Sequence, residues 1–261
     1  MVGLATGKVA MALAKSRTHR IFANERLHAL QVRYPWFCGY AAAPFAFAAG
    51  RNFALTGGFA PPLARAASAA VVGSASQLSA AMFVLHFVRR AVEVVVVNDY
   101  TGTWQRDSRL EIVYYALWGL AAGAASSPAA LAVVGVAPSA IRLAGAAAFT
   151  VGEFGNAWSH LELRRLRAER DALGTHAYVV PGRGPFAYVS SPHYTFELLS
   201  WCGYALHSAL DPTSVALVAI SAAAMSGFAA DRHARYIVLY KEGDRSNGDP
   251  STRWRMIPFV W

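Results

Sequence analysis

The chain has 261 residues, of which 55% are hydrophobic and only 15% charged, against about 25% charged in an ordinary soluble domain. Twenty-four Lys and Arg outweigh fifteen Asp and Glu, giving a net charge of +9. Such a balance can mark a nucleic-acid binder. Here, however, the basic residues gather at the ends of apolar runs, at Arg89–Arg90, Arg164–Arg170, Arg232–Lys241 and Arg253–Arg255. That is the pattern of cytoplasmic span ends, so membrane lipids and not nucleic acid are the expected surroundings.

Taken in chain order, the apolar part of the first twenty residues is short and interrupted by Lys8 and Lys15, which suits a short amphipathic helix better than a cleaved signal. Apolar segments then cover Tyr34 to about Ala54, with Pro44 as an expected kink, and Ala66 to Val97. A third runs from near Leu110 to Ser126, before Pro128. A fourth, Pro138 to about Arg170, begins apolar and ends charged, so it leaves lipid near His160. The last two are Tyr194–Leu210 and Pro212–Tyr240, separated by an Asp211-Pro212 turn. A bilayer core about 30 Å thick takes about 20 apolar helical residues. The expected fold is therefore all-α: a polytopic bundle of six to seven transmembrane helices in one membrane domain over 1–261, with N-terminal helices in 1–84. Cys38 and Cys202 lie in apolar surroundings, giving neither a disulfide framework nor a metal site.

Four polar constellations interrupt the apolar pattern. His86-Phe87-Val88-Arg89-Arg90-x2-Glu93 closes the second segment, with His86, Arg90 and Glu93 on one helix face and Arg89 one turn from Glu93. Read alone, it is also an interfacial ion pair. Asn156-x3-His160-x3-Arg164-x2-Arg167 falls within roughly 80° of one face and makes a polar ladder for an extended anionic ligand. Alternatively Glu162, Glu169 and Asp171 simply pair with the arginines. Tyr188-Val-Ser-Ser-Pro192-His193-Tyr194-x2-Glu197 runs into Trp201. An interfacial aromatic belt accounts for Tyr188 and Trp201 but poorly for Glu197. His233-x2-Tyr236 precedes Tyr240-Lys241 and the Arg253-Trp-Arg tail, where a Tyr among basic residues holds a nucleotide or anchors a span. No G-x-G-x-x-G, Walker A, zinc or nucleophile-elbow motif is present, so a nucleotide has to be held by the helices.

These blocks, in this order and spacing over about Leu85–Trp261, resemble the superfamily of steroid 5α-reductases, polyprenol reductases and trans-2-enoyl-CoA reductases. His86-Phe-Val-Arg-Arg-x2-Glu93 is similar to the H-Y-x-K-R-x2-E of the enoyl-CoA branch. Tyr114-Tyr115-x2-Trp118 follows at a similar distance, and Asn156-x3-His160 matches N-x3-H. Ser191-Pro192-His193-Tyr194-x2-Glu197 is similar to C-P-N-Y-x2-E, and Phe228 stands where steroid reductases tend to carry Arg. Phe87, Arg89 and His193 depart from the enoyl-CoA reductases, which have Tyr, Lys and Asn there.

The resemblance implies an NADPH-dependent oxidoreductase that reduces a C=C bond conjugated to a carbonyl, with 85–261 as the cofactor-binding region. The substrate is a lipid or acyl-CoA, first a trans-2-enoyl-CoA of fatty-acid elongation with partners in an elongation complex, alternatively a 3-oxo-4-ene steroid. A prenylcysteine-type membrane methyltransferase has a related layout and similar polar motifs. The resemblance places the chain in the endoplasmic reticulum of a eukaryote; a bacterium would hold such a bundle in its inner membrane. Expected catalytic residues are Tyr194, Arg89, Glu197 and Glu93. Expected cofactor-binding residues are Arg90, Asn156, His160, Arg164, Arg167, Tyr178, His193, Glu197, His233 and Tyr236.

Overall fold

The computed structural model describes residues 36–54, 66–97, 109–172, 179–245 and 247–260. Among these, seven α-helices follow one another: α1 over 36–54, then α2 (Ala66–Val96), α3 (Arg109–Ala125), α4 (Pro128–Val134), α5 (Ser139–Ala172), α6 (Pro192–His207) and α7 (Pro212–Lys241). The described residues form no sheet; a single parallel bridge pairs Val189 with Trp254. The N-terminal stretch and Tyr178 lie outside the described residues.

Local chemistry sets the helix boundaries. Ser127 caps α4 by accepting from the Ala130 N–H at 3.1 Å, with Pro128 at the first helical position. This short helix is absent from the sequence reading, because seven residues are too few to show a period. Asp211 caps α7, accepting from the N–H of Thr213 at 2.9 Å and Ser214 at 3.1 Å, so Asp211-Pro212 is a helix start as well as a turn. Pro192 opens α6 two residues earlier than the apolar run suggests, which brings His193 into its first turn. α1 stays helical through Pro44.

Glycine decides how closely the helices approach. A Cβ on Gly145 of α5 would stand 2.6 Å from the Gly203 carbonyl oxygen of α6, and one on Gly152 would stand 2.5 Å from the Ser200 backbone nitrogen. Gly50 of α1 and Gly119 and Gly123 of α3 similarly face partner backbone. Small residues at these crossings let backbones meet without intervening side chains. The interior is aromatic, built from Tyr40, Phe47, Phe83, Phe87, Phe149, Trp201 and Tyr204. Trp201 is therefore a core residue and not part of an interfacial belt, whereas Tyr188 is 68% exposed.

After α7 the chain folds back as a clasp. The Ser190 N–H donates to the Trp254 carbonyl at 2.8 Å and the Ser191 N–H to that of Arg255 at 3.0 Å. Arg253 donates to the carbonyls of Pro181, Asn247 and Gly248, and the Asp244 carboxylate accepts from the Val180 N–H at 2.6 Å. The clasp fixes the loop that leads into α6, and with it the position of His193 and Tyr194.

Candidate active site

Three helices meet at a buried polar cluster inside this apolar bundle. The last turns of α2 supply His86, Arg89, Arg90 and Glu93. The middle of α5 supplies Glu153, Asn156 and His160, which share a face because they are spaced three and four apart. The start of α6 supplies His193, Tyr194 and Glu197. Burial of so many ionisable groups is costly unless each charge is paired, and here nearly every one is.

Arg89 is the hub. Its Nε donates to Glu153 Oε2 at 2.6 Å, and its Nη1 donates to Glu93 and, at 2.8 Å, to Asn156 Oδ1. Arg90 pairs with Glu93 Oε2 at 2.6 Å and donates to the Tyr40 hydroxyl of α1 at 3.1 Å. The Arg90 Nη1 also stands 2.8 Å from His160 Nε2. A guanidinium can only donate, so this His160 nitrogen accepts and the ring proton sits on Nδ1. Glu153 Oε1 accepts from His86 Nδ1 at 2.8 Å. The Asn156 amide nitrogen donates to the His193 carbonyl at 2.7 Å and to Glu197 Oε2 at 3.3 Å. The α2 motif is thus not an isolated interfacial pair; it is tied to α5 and, through Asn156, to α6.

Several donors and acceptors in the cluster remain open. Both ring nitrogens of His193, Nη2 of Arg89 and Nε of Arg90 are buried without a hydrogen-bond partner. Native proteins rarely leave such groups orphaned, so this is where a polar ligand fits. Arg232, Arg90 and Arg167 all lie near enough to His193 to act on it electrostatically, which favours an anionic one. Tyr194 packs beside His193 with ring centroids 4.1 Å apart, and the Arg232 guanidinium lies 5.7 Å from its ring centroid.

The remaining predicted residues spread along a path leading away from the cluster. On α5, beyond His160, Arg167 is half-buried and Arg164 exposed. Acid pairing is seen at their neighbour: Arg165 binds Glu162 at 2.7 Å and also Glu169. The hydrogen bond from Arg165 holds the Glu162 carboxyl below the usual carboxylate range. On α7, His233 Nδ1 meets Ser190 Oγ at 2.7 Å, and Tyr236 is buried. Arg253 is spent on backbone carbonyls of the clasp.

The family model described as 3-oxo-5-alpha-steroid 4-dehydrogenase matches residues 110–261. The chain belongs to this family. It is 28% identical over 190 residues to a very-long-chain enoyl-CoA reductase of Dictyostelium discoideum, covering 71% of this chain and 58% of that protein. It is 29% identical over 197 residues to the 3-oxo-5-alpha-steroid 4-dehydrogenase 1 of Mus musculus, covering 75% and 73%. A putative enoyl-CoA reductase of Trypanosoma brucei brucei is 28% identical over 188 residues, covering 70% and 58%. The chain therefore spans less than two thirds of the length of the two enoyl-CoA reductases. The family match begins after α2, so it takes in the residues of α5, α6 and α7 but not His86, Arg89, Arg90 or Glu93.

Sequence reasoning missed two members of the cluster and the role of a third. Glu153 is the only charged residue between Arg142 and His160, and a lone carboxyl in an apolar helix is a usable signal. His86 was visible as part of the α2 motif, but not its tie to α5. Tyr40 carries no sequence signal; only the crossing of α1 over α2 brings it to Arg90.

Proposed function

We propose that the chain is an NADPH-dependent reductase of a C=C bond conjugated to a carbonyl in a lipid substrate, first a trans-2-enoyl-CoA. The observation that carries this is the buried α2–α5–α6 cluster with unpartnered donors at Arg89 and His193 inside a helical bundle of this family. When bound, NADPH supplies the hydride. Arg167 and Arg164 on the charged arm of α5 suit its phosphates, because guanidinium meets phosphate as a fork. His193, Asn156, His160, Arg90, Glu197, His233 and Tyr236 line the way inward and hold the rest of the cofactor.

As the double bond is reduced, negative charge collects on the substrate's carbonyl oxygen. A fixed donor in a dry site stabilises that charge at little reorganisation cost. Arg89 provides one N–H, and the Tyr194 hydroxyl provides a second or delivers the proton to the α-carbon. Glu93 and Glu197 keep the donors in place.

We read the bundle as membrane-embedded, with 1–84 contributing N-terminal helices and 85–261 the cofactor-binding region of a single domain. α7 is long and apolar enough to cross a bilayer. Large apolar side chains also face outward on other helices: Phe45 of α1, Leu117 of α3, and Leu143 and Phe154 of α5 are 60–78% exposed. Apolar outside and polar inside is the arrangement lipid favours, and six or seven spans accommodate it. Membrane lipids, an acyl-CoA supply and an elongation complex are the partners this reading calls for, in the endoplasmic reticulum or a bacterial inner membrane.

A steroid substrate is the second reading, favoured by the 73% coverage of the mouse steroid dehydrogenase. The test is NADPH oxidation by the purified protein in detergent, with a long-chain trans-2-enoyl-CoA and a 3-oxo-4-ene steroid offered side by side. Turnover of the thioester supports the first reading and turnover of the steroid alone the second. Absence of NADPH binding removes both and brings forward the methyltransferase.

A further inference from the structure

Glu153 and His86 have no part in the reading above, yet both are buried and bonded to each other within the cluster. Glu153 is 7% exposed and His86 1%. The His86 ring is packed against Trp201, with centroids 4.4 Å apart, and against Phe87 at 5.1 Å.

A carboxylate beside an arginine normally takes the guanidinium as a fork, with two oxygens on two N–H groups. Glu153 does not. Its Oε1 is taken by His86 Nδ1 at 2.8 Å, so only Oε2 reaches Arg89, at Nε and 2.6 Å. Both protons of Arg89 Nη1 are used by Glu93 and Asn156. The guanidinium is thus fixed in its plane by three acceptors from two helices, and Nη2 is buried with no hydrogen-bond partner. Without the imidazole, Glu153 Oε1 would be free to turn onto Nη2 and close the fork.

We propose that His86 and Glu153 are a positioning pair for Arg89: Glu153 sets the plane of the guanidinium, and His86, by occupying Oε1, keeps Nη2 open for the substrate's carbonyl oxygen. The proposal rests on the reductase reading. It makes the donor on His86 Nδ1, and not merely the bulk of the ring, the feature that matters.

The discriminating pair of variants is His86→Leu and His86→Asn. Leucine removes the donor, whereas asparagine returns an amide N–H close to the place of Nδ1. For each, kcat and KM for a long-chain trans-2-enoyl-CoA are measured together with the NADPH dissociation constant from nucleotide fluorescence in detergent. His86→Leu is expected to lower kcat about 100-fold, the scale of losing one oxyanion donor, with NADPH affinity unchanged. His86→Asn is expected to recover most of that loss. Wild-type kcat in His86→Leu, or equal losses in both variants with NADPH affinity retained, overturns the proposal. If the His86 variants no longer bind NADPH, Glu153→Gln decides. A fall in kcat with NADPH affinity intact supports the pair; unchanged kcat, or loss of NADPH binding here too, overturns it. Failure of the underlying reading shows separately, as wild-type protein that neither binds NADPH nor oxidises it.

Discussion

The two halves of α5 make different uses of one helix. From Ser139 to Gly155 it is a packing element. Gly145 and Gly152 lie against the backbone of α6, while Leu143, Val151 and Phe154 point outward. From Asn156 to Ala172 it is a polar arm, first tied into the buried cluster by Asn156 and His160, then studded with arginines. The contrast shows how one helix can position chemistry. The glycine half fixes α5 against α6 at backbone distance, and that fixed crossing sets the register in which Asn156 meets the His193 carbonyl and Glu197. Precision in the polar half is borrowed from close packing in the apolar half.

That dependence can be broken at its packed end with the largest effect. Gly152→Val is expected to cost about 3 kcal/mol or more, because the new side chain meets Ser200 backbone that cannot move aside. A clear drop in thermal midpoint in detergent, with loss of NADPH binding, is the expected outcome; a wild-type midpoint would mean the halves are not coupled. Next in size is the chemistry at the junction. Tyr194→Phe is expected to lower turnover about 100-fold while leaving NADPH affinity intact, and near-normal turnover would remove Tyr194 from the mechanism.

Effects shrink along the arm. Arg167→Ala is expected to weaken NADPH binding about tenfold, near 1.4 kcal/mol, with the thermal midpoint of the ligand-free protein unchanged. Unaltered affinity would make this position a solvated helix face. Arg165→Ala is the smallest, within about 0.5 kcal/mol. Among the described residues Arg165 pairs with Glu162 and Glu169, one turn away on its own helix, so neither turnover nor NADPH affinity should move. A large loss there would mean that the arm is part of the packed structure after all.

Much of this arrangement is written in the chain itself. The apolar runs, their basic ends and the charged tail of α5 mark six of the seven described helices to within a few residues, since periodicity and the cost of charge in lipid are local properties. The order and spacing of the polar blocks point to the reductase superfamily, and the family match from residue 110 onward agrees. Helix periodicity alone also places Arg89 one turn from Glu93 and Asn156 one turn from His160. Tertiary structure decided the rest. Pairing between α2 and α5 spans more than sixty residues, and no local pattern says which face of one helix meets which face of another. The partner of His86, the reach of Tyr40 to Arg90, the burial of Trp201 and the use of Arg253 as a clasp all depend on backbone crossings. Glycine lets two helix pairs touch at backbone distance, α1 with α3 and α5 with α6, and a glycine in the sequence does not announce its partner.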